Sequence, residues 1–101
     1  MKAIGIIGLG LVGTALAERL LKAGERVLGF DVVAVRRQAL SAMGGTAAVA
    51  GIDVANQCDV LLLSLPDSQI VAQAVDELVP ALRPGQLLVD TSTGRPEDAA
   101  A

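Results

Sequence analysis

The sequence predicts a doubly wound parallel α/β domain, and three observations carry that prediction. Short, continuously apolar runs alternate along the chain with longer amphipathic ones, the pattern of strands buried on both faces and joined by helices. No strand run is followed directly by another, so right-handed crossovers and a parallel sheet are expected. A glycine-rich turn, Gly8 to Gly13, joins the first apolar run to the first amphipathic one.

Residues 2–8 form the first predicted strand and 11–23 the first helix. In that helix Thr14, Glu18 and Lys22 make one polar stripe with Glu preceding Lys, while Leu9, Val12, Leu16 and Leu20 lie away from it to pack on a sheet. Gly24 stands where a helix ends in a left-handed residue. Residues 26–30 form a second strand ending at Asp31. A second helix is expected over 32–43, with Val32, Val35, Ala39 and Met43 inward and Arg36, Arg37 and Gln38 mostly outward. Gly44-Gly45 ends it, and 46–50 is an alanine-rich third strand. A short helix follows at 51–57, then a fourth strand at 60–65, apolar except for Ser64. Pro66-Asp67-Ser68 starts a helix running to Leu82, with Gln69, Gln73, Asp76 and Glu77 on its polar face. Pro84-Gly85 is a turn, and 86–89 is a fifth strand ending at Asp90.

The chain has 101 residues, room for one domain and not two. A domain of this length buries somewhat under ~70% of its unfolded surface, so a core can form without metals or disulfides. Apolar residues at 52% and charged residues at 19% exclude disorder. No apolar stretch approaches the ~20 residues of a membrane span, and a net charge of −3 speaks against a nucleic-acid partner. His, Trp and Tyr are absent, Phe30 is the lone aromatic, and Lys2 and Lys22 are the two lysines. The usual general base and metal ligand are therefore missing, and no catalytic residue or metal site is assigned. Cys58 has no His to activate it and reads as a small buried residue at a strand entrance. The apolar start, Ala3 to Gly8, lacks a cleavage site and flows into the glycines, so it reads as a strand rather than a secretory segment, and a cytoplasmic location follows. At the other end, Pro96-Glu97-Asp98 has the composition of a helix's first turn just before Ala101, which suggests a longer protein.

Gly8-Leu9-Gly10-Leu11-Val12-Gly13 follows a strand, opens a helix and has an acid, Asp31, 18 residues beyond Gly13. That is the context a dinucleotide-binding fingerprint requires. Gly8 allows the tight turn, Gly10 lets the backbone approach a pyrophosphate, and Gly13 lets helix pack on strand. The free N–H groups of residues 11–13 and the helix dipole can hold phosphates without a basic side chain. A carboxylate at Asp31 would accept bonds from the adenosine ribose hydroxyls and repel a 2′-phosphate, so NAD is favoured over NADP. Arg36 and Arg37 pull toward NADP, unless they are merely a solvated helix face. The tail Asp90-Thr91-Ser92-Thr93-Gly94-Arg95-Pro96 leaves the edge where open α/β sheets bind ligands, and its hydroxyls and Arg could hold a carboxylate or hydroxyl substrate. A Ser/Thr helix cap is the plain alternative.

Three segments in order carry a family resemblance: Ile7 to Gly13, Leu63-Ser64-Leu65-Pro66, and Asp90-Thr91-Ser92-Thr93-Gly94-Arg95-Pro96. Together they make the chain resemble the cofactor-binding half of the β-hydroxyacid dehydrogenases, the group that includes 3-hydroxyisobutyrate and 6-phosphogluconate dehydrogenases. Val12 stands where the family usually has Met. The resemblance implies a Rossmann-type domain over 1–101 as the N-terminal part of an oxidoreductase. That enzyme would move a hydride between a nicotinamide cofactor and a small β-hydroxy acid, and a homo-oligomer is expected at full length. It also implies that Leu65 and Pro66 border the adenosine side of the cofactor, that Thr93 lies near the nicotinamide ribose, and that Ser92 and Thr93 meet substrate. The family's catalytic Lys belongs to a segment downstream of this sequence, in or before a helical C-terminal domain. Two other readings stay open: a stand-alone dinucleotide-sensing module without catalysis, and an imine-reducing relative.

Overall fold

The computed structural model describes residues 3–91. The elements are β1 (Ala3–Ile7), α1 (Leu11–Lys22), β2 (Val27–Phe30), α2 (Ala34–Ala42), β3 (Thr46–Ala47), α3 (Gly51–Gln57), β4 (Cys58–Leu63), α4 (Ser68–Leu78), a 3₁₀ turn (Val79–Ala81) and β5 (Leu87–Asp90). The five strands form one sheet in the order β3-β2-β1-β4-β5, and every neighbouring pair is parallel. This is the doubly wound Rossmann-type order, with the strand sequence reversing between β1 and β4. Among the described residues no helix is long and apolar enough to cross a membrane.

Side chains alternate across the pleat, so successive strand residues feed opposite layers. Ile6, Val27, Leu40, Leu9 and Ala17 form the core on the α1/α2 side. Ile7, Leu28, Val54, Leu61, Leu63 and Leu78 belong to the core on the α3/α4 side. Glycines in the sheet bring the helices close. A Cβ on Gly5 would lie 2.5 Å from Val54 Cγ1, and one on Gly29 would lie 2.7 Å from Leu40 Cδ2.

Helix α1 ends as expected at Gly24, whose φ of 88° needs a residue without Cβ. The Gly24 N–H donates to Leu21 O and the Glu25 N–H to Leu20 O, the paired bonds of a Schellman ending. The inward face of α1 differs from the expected one. Gly13 and Ala17 are its buried residues, Leu16 and Leu20 pack at the margin of the core, and Val12 is exposed. Small side chains face the sheet because the helix lies against it too closely for larger ones.

Helix α2 shows a larger difference. It starts at Ala34 rather than residue 32, and Val32, Val35 and Ala39 are exposed instead of inward. Leu40 is the buried residue, with Met43 half-buried beside it. The helix takes its phase from the hollow over Gly29, which Leu40 fills together with Leu9. A polar/apolar pattern cannot show where such a hollow lies.

The third strand shrinks from the expected 46–50 to Thr46–Ala47, paired with Leu28 and Gly29, and Val49 is almost fully exposed. Strand β4 begins at Cys58, two residues before the expected start, because pairing with β1 begins at Ala3. Helix α4 is capped by the Asp67 carboxylate, which accepts from the Ile70 N–H at 2.9 Å. It gives way to a 3₁₀ turn at Val79, before the expected end at Leu82, because Pro80 lacks the N–H a further α-turn needs.

At the amino-terminal edge of the sheet, Gln86 acts as a clamp. Its amide donates to the carbonyls of Ala55 and Cys58, both at 2.7 Å. Arg83 adds a bond to Asn56 O at 3.0 Å, and together they tie the end of α3 to the start of β5.

Cys58 is fully buried at the entrance of β4, and burial, helped by the neighbouring Asp59, pushes its thiol pKa up. A raised folded-state pKa means that the folded chain holds the proton longer than the unfolded one. The resulting stability is complete below the unfolded thiol value of about 8.5 and is lost as pH rises past it toward the folded value. The native chain at pH 8 is therefore expected to resist a thiol reagent that labels the urea-unfolded chain fully, and its urea midpoint should fall above about pH 9. Rapid labelling of the native chain would contradict the burial.

Candidate functional site

The carboxyl ends of the strands bring the glycine-rich turn, Asp31 and the Ser64-Leu65-Pro66 segment to one edge of the sheet. Gly8 leaves β1 with φ 99°, and its N–H donates to Phe30 O at 2.9 Å. A Cβ on Gly8 would run into the carbonyl of Ser64, and one on Gly13 would run into the carbonyl of Gly8. These two glycines are thus demanded by the protein itself, one by turn and contact, the other by contact alone.

Gly10 is different. It caps α1 in ordinary extended backbone, φ −74° and ψ −157°, which any residue can adopt. Among the described residues a Cβ there would meet one neighbour within 4 Å, Arg36 Nη1 at 3.9 Å. Neither the local backbone nor the packing of the described residues asks for glycine at this position. The notch it leaves lies at the start of a helix of 12 residues that has no side-chain cap and no acid in its first turn. The N–H groups of Leu11, Val12 and Gly13 have no acceptor within the helix, and the macrodipole makes that end positive.

Asp31 is buried, 6% exposed. Its Oδ2 accepts from the Leu9 N–H at 2.8 Å and its Oδ1 from the Val33 N–H at 2.8 Å. Arg36 Nη1 lies 3.5 Å from Oδ2, and Arg37 donates through Nη1 to the Asp31 carbonyl at 2.6 Å. The carboxylate therefore does structural service first, pinning the glycine turn to the end of β2. A carboxylate has about four acceptor positions, so two strong bonds leave capacity for a ligand hydroxyl. Thr14, expected only on a polar stripe, braces the same turn by donating its hydroxyl to Leu9 O at 2.9 Å.

A family model described as the NAD binding domain of 6-phosphogluconate dehydrogenase matches residues 3–101. An NAD-dependent L-serine dehydrogenase of Pseudomonas aeruginosa is 38% identical over 102 aligned positions, covering 98% of this chain and 34% of that protein. The chain belongs to the NAD-binding domains of the β-hydroxyacid dehydrogenases. The structure of Mycobacterium tuberculosis 3-hydroxyisobutyrate dehydrogenase with L-serine superposes at TM-score 0.90 and 29% identity, covering 99% of this chain and 34% of that one. An imine reductase of Myxococcus stipitatus in complex with NADP+ superposes at TM-score 0.86 and 26% identity, covering 98% of this chain and 35% of that one. Its V8 variant, in complex with NAD+, does so at 0.86 and 27%, covering 98% and 34%. The chain thus spans about a third of the length of the relatives it matches.

Within this β-hydroxyacid dehydrogenase domain, the expected site residues divide by exposure. Leu11 is 91% exposed and Val12 40%, at the mouth of the notch. Leu9 has its side chain in the core and its N–H committed to Asp31. Leu65 is half-buried and lies against Gly8, 3.0 Å from where its Cβ would be, while Pro66 is exposed. Ser64 is tied to β1 through its N–H, which donates to Ile7 O at 2.8 Å. Thr91 gives both its N–H and its hydroxyl to Leu63 O, each at 2.8 Å, which holds the end of β5 beside β4. Ser92 and Thr93, expected at substrate and nicotinamide ribose, lie outside the described residues, as does Lys2.

Proposed function

We propose that this domain binds a nicotinamide dinucleotide, with NAD(H) preferred, for a dehydrogenase acting on a small β-hydroxy acid. The observation that carries the reading is the notch at Gly10, a glycine that neither the local backbone nor the packing requires. A pyrophosphate needs that space, because any Cβ would hold it off the backbone. The Leu11, Val12 and Gly13 N–H groups would receive the phosphates, Asp31 the adenosine ribose hydroxyls, and Leu65 and Pro66 would border the adenosine. Ser92 and Thr93 would meet the nicotinamide ribose and substrate. The cofactor would supply or accept the hydride, and a Lys outside this sequence would serve as acid/base. Relatives named for L-serine and 3-hydroxyisobutyrate support a small hydroxy acid as the substrate class.

Two variants test this reading. Gly10→Ala should leave the stability of the ligand-free chain within about 1 kcal/mol of the parent and weaken NADH binding at least about tenfold, roughly 1.4 kcal/mol or more. Urea denaturation and a fluorescence titration read the two effects, and unchanged NADH affinity would sink the phosphate-notch reading.

The parent chain should also bind NADH more tightly than NADPH, and Asp31→Asn should narrow that ratio by removing the charge that repels a 2′-phosphate. The variant should melt at a lower temperature as well, since its single amide oxygen can take the place of one carboxylate oxygen while its NH2 cannot accept from the other of the Leu9 and Val33 N–H groups. Equal affinity of the parent for both cofactors would refute the role given to Asp31.

A further inference from the structure

Two arginines follow Asp31, and the structure gives them different standing. Arg37 is spent on the protein: its Nη1 donates to the Asp31 carbonyl at 2.6 Å, and its guanidinium carbon lies 5.8 Å from the centroid of the Phe30 ring. Arg36 is half-exposed, and its Nη1 stands 3.5 Å from Asp31 Oδ2, well beyond the ~2.7–2.9 Å of a strong charge-assisted bond. Asp31 has little need of it, because the Leu9 and Val33 N–H groups already bond the carboxylate at 2.8 Å. Among the described residues, most of the five guanidinium donors of Arg36 are therefore unspent. The same Nη1 is the atom that a Cβ on Gly10 would meet, at 3.9 Å. The turn from Gly8 to Gly13 holds no charged residue of its own.

We infer that the Arg36 guanidinium binds the pyrophosphate of the dinucleotide across the notch at Gly10, adding a side-chain cation to a site otherwise built from backbone N–H groups. The inference rests on the dinucleotide reading above. The pyrophosphate is the favoured phosphate for two reasons. Arg36 Nη1 is the side-chain atom next to Gly10, where phosphate would meet the backbone. The Asp31 carboxylate, 3.5 Å from the same Nη1, would repel a doubly charged 2′-phosphate placed against it. Arg36 is then a cofactor contact shared by NAD(H) and NADP(H), rather than a device for choosing between them.

The test uses Arg36→Ala and Arg36→Lys in the 101-residue chain, titrated with NADH, NADPH and ADP at low and high KCl, with a melting temperature for each protein. Arg36→Ala should melt within about 3 °C of the parent. It should lose about tenfold in affinity for all three ligands, with a shallower dependence on KCl. Arg36→Lys should recover most of the KCl dependence, because the charge returns without the planar fork. Unchanged affinities and KCl dependence in Arg36→Ala would overturn the inference alone. So would a loss confined to NADPH, which would make Arg36 a 2′-phosphate ligand. A parent chain that binds neither NADH nor ADP would overturn the dinucleotide reading itself, and this inference with it.

Discussion

Helix α1 can begin where it does because Gly13 and the carbonyl of Gly8 are in direct contact, with no room between them for a single Cβ. That contact fixes the first turn of α1 over the carboxyl end of β1, beside the place where the strand order reverses toward β4. An interior this dense transmits any added volume as displacement, and overpacking costs typically ~1–3 kcal/mol. Seating the helix there also turns its uncapped N–H groups toward the edge of the sheet rather than into the core. The geometry of the candidate site is in this sense a by-product of how closely one helix can lie on one strand.

Asp31 holds the turn from the β2 side, and magnitudes decide which of its bonds matters. A hydrogen bond from a backbone N–H to a buried carboxylate contributes about 1.5–3 kcal/mol. A half-exposed ion pair at 3.5 Å such as Arg36–Asp31 contributes under about 1 kcal/mol. The Leu9 and Val33 N–H groups therefore set where the carboxylate sits, and Arg36 is the partner that can change allegiance. The opposite edge of the sheet is arranged differently: there Gln86 and Arg83 turn their side chains back onto the carbonyls ending α3. The Gln86 and Arg83 side chains at the amino edge are engaged by the fold, whereas the carboxyl edge includes the uncapped N–H donors of α1.

Much of the fold was legible in the sequence because its strongest signals are local. The order of elements along the chain and the parallel sheet follow from the alternation of runs, and the structural parts played by Gly8 and Gly13 follow from their spacing after a strand. What escaped depends on contacts distant in sequence. The phase of α2 is set by the hollow over Gly29, far upstream of Leu40 and invisible to periodicity, which made Val32, Val35 and Ala39 look inward. Likewise Val12 reads as a core residue on a helical wheel, yet the close seat at Gly13 and Ala17 leaves it at the rim. The alanines of 46–50 carry too little side chain to sustain an edge strand. In the site, spacing placed Asp31 but showed neither its bond to Leu9 nor the difference between Arg36 and Arg37. That difference lies in which face of one helical turn meets Phe30 and which meets Gly10.

On the proposed reading, the dinucleotide's phosphates would enter the notch at Gly10, against the first turn of α1. Two-dimensional ¹⁵N–¹H spectra of the chain recorded through an NADH titration test it most directly, since each backbone N–H reports on its own surroundings. The largest shifts are expected on Gly10, Leu11, Val12 and Gly13, with smaller ones at Asp31, Val33, Ser64 and Leu65. Shifts gathered instead at the amino edge, around Arg26, Thr46 and Gln57, with Leu11 to Gly13 unmoved at saturating NADH, would contradict it.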